Sequence, residues 1–129
     1  MLKIVELHAS PNAGGEYVVL QNHGLSTLSL RGWALCGGSY LTGDAEAAAR
    51  EMYIFREDTP IKPYGRVVLF TGQGEDGWYQ TIDGKQAFLA YWRRSRAVWA
   101  VAGEVLLIQM TGSRRVSMPE LPGIAVATS

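Results

Sequence analysis

Leu28-Ser29-Leu30-Arg31-Gly32-Trp33-Ala34-Leu35 is the stretch from which the fold can be read. Its alternation places Leu28 and Leu30 on one face of an extended chain, and Gly32 supplies a flexible point that re-aims the strand so that Trp33 and Leu35 both turn inward. Burying the Trp33 ring removes a large apolar surface from water and asks one partner of its ring nitrogen. Similar short runs of Val, Ile, Leu, Tyr and Phe occupy residues 2 to 8, 16 to 22, 66 to 70 and 104 to 109, each bounded by Gly, Pro, Asn, Ser or Asp. Turn signatures recur at Asp76-Gly77 and Asp83-Gly84, with Gly14-Gly15 and Gly37-Gly38 near other strand ends. This spacing predicts an all-β sandwich or barrel. No helices alternate with the strands, which predicts antiparallel pairing.

One helical segment interrupts the pattern. Asp44-Ala45-Glu46-Ala47-Ala48-Ala49-Arg50-Glu51 is rich in alanine, and Asp44 can cap the free amides at its start. About two turns long, it reads as a short helical insertion near residues 44–51. Met118-Pro119-Glu120-Leu121-Pro122-Gly123 cannot continue a strand, because proline removes donors and fixes the backbone. Residues 1–117 are therefore expected to form one β domain and residues 118–129 a Pro-containing tail.

The 129 residues suit a single domain that buries roughly two-thirds of its unfolded surface. Twelve Lys and Arg balance twelve Asp and Glu, so there is no global positive field to gather nucleic acid or anionic membrane. The longest apolar runs, such as Val67 to Phe70, are far too short to cross a bilayer, and the first seven residues look like a strand and not like a secretion signal. Cys36 is the single cysteine, which excludes an intrachain disulfide and suits a reducing, cytoplasmic setting.

Several segments together resemble the lamin tail domain in its bacterial, stand-alone form. They are Glu16-Tyr17-Val18-Val19-Leu20-Gln21-Asn22, the Leu28 to Leu35 stretch, Ile54-Phe55, Ile61-Lys62-Pro63-Tyr64-Gly65-Arg66-Val67-Val68-Leu69, and Val98-Trp99 followed by Gly103-Glu104-Val105-Leu106-Leu107. The resemblance implies an immunoglobulin-like β-sandwich that binds other macromolecules. It is imperfect: Val19 stands where many members carry a second Glu, Ala100-Val101-Ala102 replaces a polar turn, and residues 39 to 51 read as an insertion. No heptad-bearing rod precedes the domain, so nothing here speaks for filament assembly.

Chemistry finds little support. Gly72-Gln73-Gly74-Glu75-Asp76-Gly77 has the spacing of a dinucleotide fingerprint, but the residues after it read as a strand where the fingerprint needs a helix, so it is taken as a mobile loop. His8, His23 and Cys36 lack metal-ligand spacing and are read as structural. Cys36 continues the core pattern after Trp33 and Leu35, and Glu6 and Glu16 are read as surface or edge charges. No catalytic, metal or cofactor set is expected.

The segment Trp78 to Trp99 is the richest candidate surface. Trp78, Tyr79, Trp92, Arg93, Arg94 and Arg96 interleave rings with guanidinium groups, a combination that can anchor a protein interface or stack on bases and pair with phosphates. The competing reading needs no ligand, because arginine stems also lie over neighbouring rings within a fold. Residues 93 to 115 hold five arginines against one acid, and residues 44 to 58 hold five acids against two arginines. A dipolar surface suits a complementary protein, or a second copy, better than a uniform polyanion. A protein-binding module is thus the expectation, weak nucleic-acid or polyanion binding the alternative, and an enzyme the last choice.

Overall fold

Short apolar runs broken by turn residues fold into strands wherever one face can be buried. The computed structural model describes residues 1–110 and the backbone of one further strand, Arg115–Ser117. In chain order the elements are β1 (Leu2–His8), β2 (Tyr17–Asn22), β3 (Leu28–Ser29), β4 (Trp33–Cys36), α1 (Ser39–Thr42), α2 (Ala45–Arg50), β5 (Met52–Ile54), β6 (Pro60–Ile61), β7 (Arg66–Phe70), β8 (Gly77–Gln80), β9 (Gln86–Tyr91), α3 (Trp99–Ala102), β10 (Leu106–Gln109) and β11 (Arg115–Ser117). A five-stranded sheet runs β1-β2-β7-β9-β8, a four-stranded sheet runs β11-β10-β4-β5, and β3 pairs with β6. The protein is mostly β.

The core joins the two larger sheets. Leu2, Ile4, Val18, Leu20, Val67, Leu69 and Ala90 from the first belong to one buried cluster with Trp33, Leu35 and Leu107 from the second. Trp33 is 8% exposed and Leu30 and Leu35 are fully buried. Gly32, at φ 89°, makes the bend expected of it: Trp33 N donates to Leu30 O at 3.0 Å, closing a turn that a side chain at residue 32 would strain.

Two expectations are corrected. Pairing is not antiparallel throughout, because β7 and β9 run parallel, with Val67 opposite Phe88 and Leu69 opposite Ala90. The loop after β7 carries the chain past the neighbouring position, so the exposed β8 takes the edge and the more buried β9 returns into the gap. Helix is also not confined to residues 44–51: α1 and α3 add single turns. Within the insertion itself Asp44 caps α2 as expected, accepting from Ala47 N at 3.1 Å. The tail expected at residues 118–129 lies outside the described residues.

Glu16 corrects a third expectation. Read from sequence as a surface charge, it is fully buried. Its Oε1 accepts from Thr71 Oγ1 at 2.8 Å, Val98 N at 2.8 Å and Trp99 N at 3.0 Å, while Oε2 accepts from Ala100 N at 2.9 Å. One side chain before β2 thus satisfies three successive amides at the start of α3, groups that a helix cannot satisfy itself. It ties the segment after β9 to the first sheet.

Candidate interaction surface

Two residues after β9, the arginine segment meets its own fold before it meets solvent. Arg93 sits at φ 61° and its guanidinium contacts Asp76 Oδ1 at 3.3 Å, the same oxygen that accepts from Tyr91 N at 2.8 Å. Arg94 lies with its guanidinium carbon 5.0 Å from the centre of the Trp92 ring and donates to Arg50 O at 3.0 Å. Trp92 packs edge-on to Tyr53 at 5.8 Å and tilted against Trp99 at 5.5 Å, partly buried against the core. Arg96 differs. It is exposed on an open groove of about 960 Å³ between the loops 11–14, 72–73 and 94–101.

The glycine-rich loop ahead of β8 is pinned by the same contacts. Asp76 is held by Tyr91 and Arg93, and Gly74 lies so close to the Tyr91 ring that an added Cβ would come within 2.3 Å of it. A glycine there makes room for an aromatic ring, and β8 follows where a nucleotide fold would place a helix.

Trp78 and Tyr79, by contrast, are 46% and 49% exposed on β8. Alternation sends them to opposite faces, and the Trp78 ring meets Phe88 edge-on at 5.4 Å. Beside them stands a residue named above only within the Ile61 to Leu69 segment. Tyr64, in Pro63-Tyr64-Gly65, is held at φ 63° with its N–H on Asn22 O at 2.7 Å and its ring 69% exposed. A non-glycine residue in the left-handed region is costly and marks a turn fixed by its surroundings. No sequence signal gives a positive φ at a tyrosine; the Pro-x-Gly frame shows only that a turn is there.

Tyr64 joins two grooves around the β8–β9 hairpin. One, of about 560 Å³, is walled by Pro60, Ile61, Pro63, Tyr64 and Trp78. The other, of about 820 Å³, runs past Arg66, Gln80, Ile82 and Asp83, and both share Lys85 and Gln86. Lys62, Arg66 and Lys85 are exposed here and none makes an ion pair among the described residues, though Lys85 stands in the field of the Asp83 carboxylate. The acid in the lining, Asp83, already accepts from the Thr81 hydroxyl and from Lys85 N at 3.3 Å. Those bonds, the Thr81 hydroxyl first, hold its carboxyl below the ordinary value. This end of the molecule combines exposed rings with unpaired positive charge.

The candidate reactive groups are dispersed. His8 stacks on Tyr17 at 4.9 Å, with Nδ1 2.8 Å from Gly15 O, and His23 Nε2 lies 2.8 Å from Gln21 Oε1 in a turn. Cys36 is fully buried, and burial, reinforced by Glu51 and then Glu104, pushes its thiol from 9.0 up to about 12. A thiol so held is not a thiolate nucleophile at neutral pH. Among the described residues no helix is long and apolar enough to cross a membrane. Compared with family models and with curated proteins, the sequence matches none.

Proposed function

We propose that this chain is a non-catalytic protein-binding module, an immunoglobulin-like sandwich of the lamin tail kind, whose contact face is the β8–β9 hairpin together with the Tyr64 turn. The observation that carries the reading is the exposure of Tyr64 and Trp78 on one groove, which meets a second at Tyr64, Lys85 and Gln86, with Tyr79 exposed on the other face of the same strand. Rigid aromatic rings on a preformed surface supply contact area at little entropic cost and are the residues that dominate protein interfaces. The frame supports the same reading: segments that resemble the lamin tail domain, Leu28 to Leu35 and Ile61 to Leu69, lie in and beside strands that feed the shared core.

The contact face therefore moves from the arginines to the hairpin. Trp78 and Tyr79 stay in it, Trp92 is packed partly buried against the core, and Arg93 and Arg94 are engaged within the chain. Polyanion binding through residues 78–99 is the weaker alternative, since Arg96 is the arginine of the three left without a partner among the described residues. The test is selection of peptides from a random library displayed on phage, on the wild type and on the Tyr64→Ala/Trp78→Ala variant. The reading predicts families of peptides enriched on the wild type alone. Enrichment that survives in a folded double variant, or none on either protein, contradicts it.

A further inference from the structure

An edge strand presents a row of unpaired N–H and C=O groups, and proteins blunt such edges with charge, proline, bulges or very short strands. Three of the edges described here are blunted. β1 carries Lys3 and Glu6 and a register shift between Ile4 and Glu6, while β5 and β11 are three residues each. β8 is different. β8 is itself only four residues, Gly77–Gln80, but neither it nor Thr81-Ile82 after it carries a charge or a proline, and it ends the five-stranded sheet with only β9 beside it among the described residues.

The register tells which groups are open. Thr81 N donates to Lys85 O at 2.6 Å, so Thr81 and Lys85 form a hydrogen-bonded pair, and Tyr79 opposite Ala87 is the next one along the antiparallel ladder. Trp78 opposite Phe88 and Gln80 opposite Gln86 are then the non-bonded pairs, whose main-chain N–H and C=O face away from β9. The open edge is flanked by the Tyr64–Trp78 groove and by the Ile82 groove; Lys62 and Lys85 line the first without an ion pair among the described residues, Lys85 in the field of Asp83, while Arg66 lies on β7, two strands in from the edge.

We infer that β8 takes up an extended, acidic segment of a partner protein by strand addition, main chain to Trp78 and Gln80, carboxylates to Lys62 and Lys85. This rests on the hairpin being the contact face. Main-chain pairing along an open edge gives affinity, and pockets for alternate side chains give selectivity. The unpaired cations select acidic over basic segments by charge complementarity. A single-stranded nucleic acid could use the rings, the cations and single N–H groups, but it has no alternating N–H and C=O row with which to extend the strand ladder.

The test is fluorescence anisotropy with a labelled peptide of alternating Glu and Val, beside its Lys-Val counterpart and an oligothymidylate. The Glu-Val peptide should bind the wild type and lose about tenfold or more in affinity on Lys62→Glu/Lys85→Glu, roughly the worth of one truncated interfacial charge contact. Gln80→Pro, which removes an outward N–H, should lose as much; if that variant does not fold, N-methylation of the peptide along one edge replaces it. Equal or tighter binding of Lys-Val, Glu-Val binding indifferent to the charge reversal, or tighter binding of oligothymidylate each overturns the inference. Enrichment of hairpin-dependent peptides without acidic residues in the phage selection would remove this inference and leave the contact face standing. Absence of any enrichment removes both.

Discussion

The buried carboxylate of Glu16 accepts the main-chain N–H of Trp99 at 3.0 Å, across 83 positions of sequence. With Val98, Ala100 and Thr71 it closes the segment after β9 onto the first sheet. Glu16→Ala leaves those amides buried without an acceptor. At about 1 to 3 kcal/mol for each unsatisfied group, the loss should be about 3 kcal/mol or more. Glu16→Gln keeps one acceptor oxygen but turns an NH₂ donor toward Ala100 N–H, so its loss should be smaller yet clear. Urea unfolding measures both, and limited proteolysis should cut the alanine variant first near residues 97–101. A Glu16→Ala protein as stable as wild type contradicts the anchoring role.

Two tryptophans should separate core from contact surface. Trp33, 8% exposed in the shared core, should cost about 3 to 5 kcal/mol when changed to alanine, as other buried large-to-small changes do. Trp78, half exposed and touching Phe88 by its edge, should cost about 1 kcal/mol on the same change. Thermal or urea unfolding of the two variants reads the difference; equal losses would put Trp78 in the core.

Alkaline stability follows from two protected acids. Burial, more than the nearby carboxylates, raises the Cys36 thiol from 9.0 to about 12, and burial with Asp76 raises the Tyr53 hydroxyl from 10.0 to about 12. Each group stays protonated in the folded protein at a pH where the unfolded chain has already lost its proton. Its stabilising contribution is therefore complete below the unfolded value and is lost as pH rises toward the folded one. The melting temperature should hold up to about pH 9 and fall between about pH 9 and 12, less steeply in Tyr53→Phe. A fall of equal slope in that variant would show that Tyr53 takes no part.

The arginines give a salt-dependent test. With Arg93 on Asp76 and Arg94 on Trp92 and Arg50, Arg96 is the one free to meet a phosphate, so any DNA binding through this segment should show a salt slope near about −1. Changing Arg93, Arg94 and Arg96 together to alanine should cost about 1 to 2 kcal/mol, because an exposed ion pair and a ring contact are lost. Anisotropy with labelled DNA at several salt concentrations, beside urea melts, reads both numbers. A slope near about −3, expected if all three arginines were free, would restore polyanion recognition.

The strand pattern was legible because its signals are local. Leu30, Trp33 and Leu35 alternate around Gly32, the Asp83-Gly84 turn closes β8 on β9, and Asp44 caps α2. What was hidden depends on partners distant in sequence. Nothing near Glu16 shows that amides 98 to 100 will meet it, so it read as a surface charge. The parallel β7–β9 pair depends on which of two hairpin strands lies inside the sheet, a choice of packing and not of turn chemistry. Half of the arginine-aromatic segment looked like a binding surface because sequence cannot tell a ring facing solvent from one beneath a guanidinium. Trp78 and Trp92 each stand beside a tyrosine in sequence, yet Trp78 is half exposed and Trp92 packs against the core.

Amide hydrogen exchange on the full chain, with and without a peptide enriched by the wild type, tests the location of the contact face most directly. The account predicts slowed exchange at residues 60–66 and 77–87, with Trp78 and Gln80 amides the most protected, and no change at residues 93–102. Protection confined to residues 93–102, with the hairpin unchanged, would contradict it.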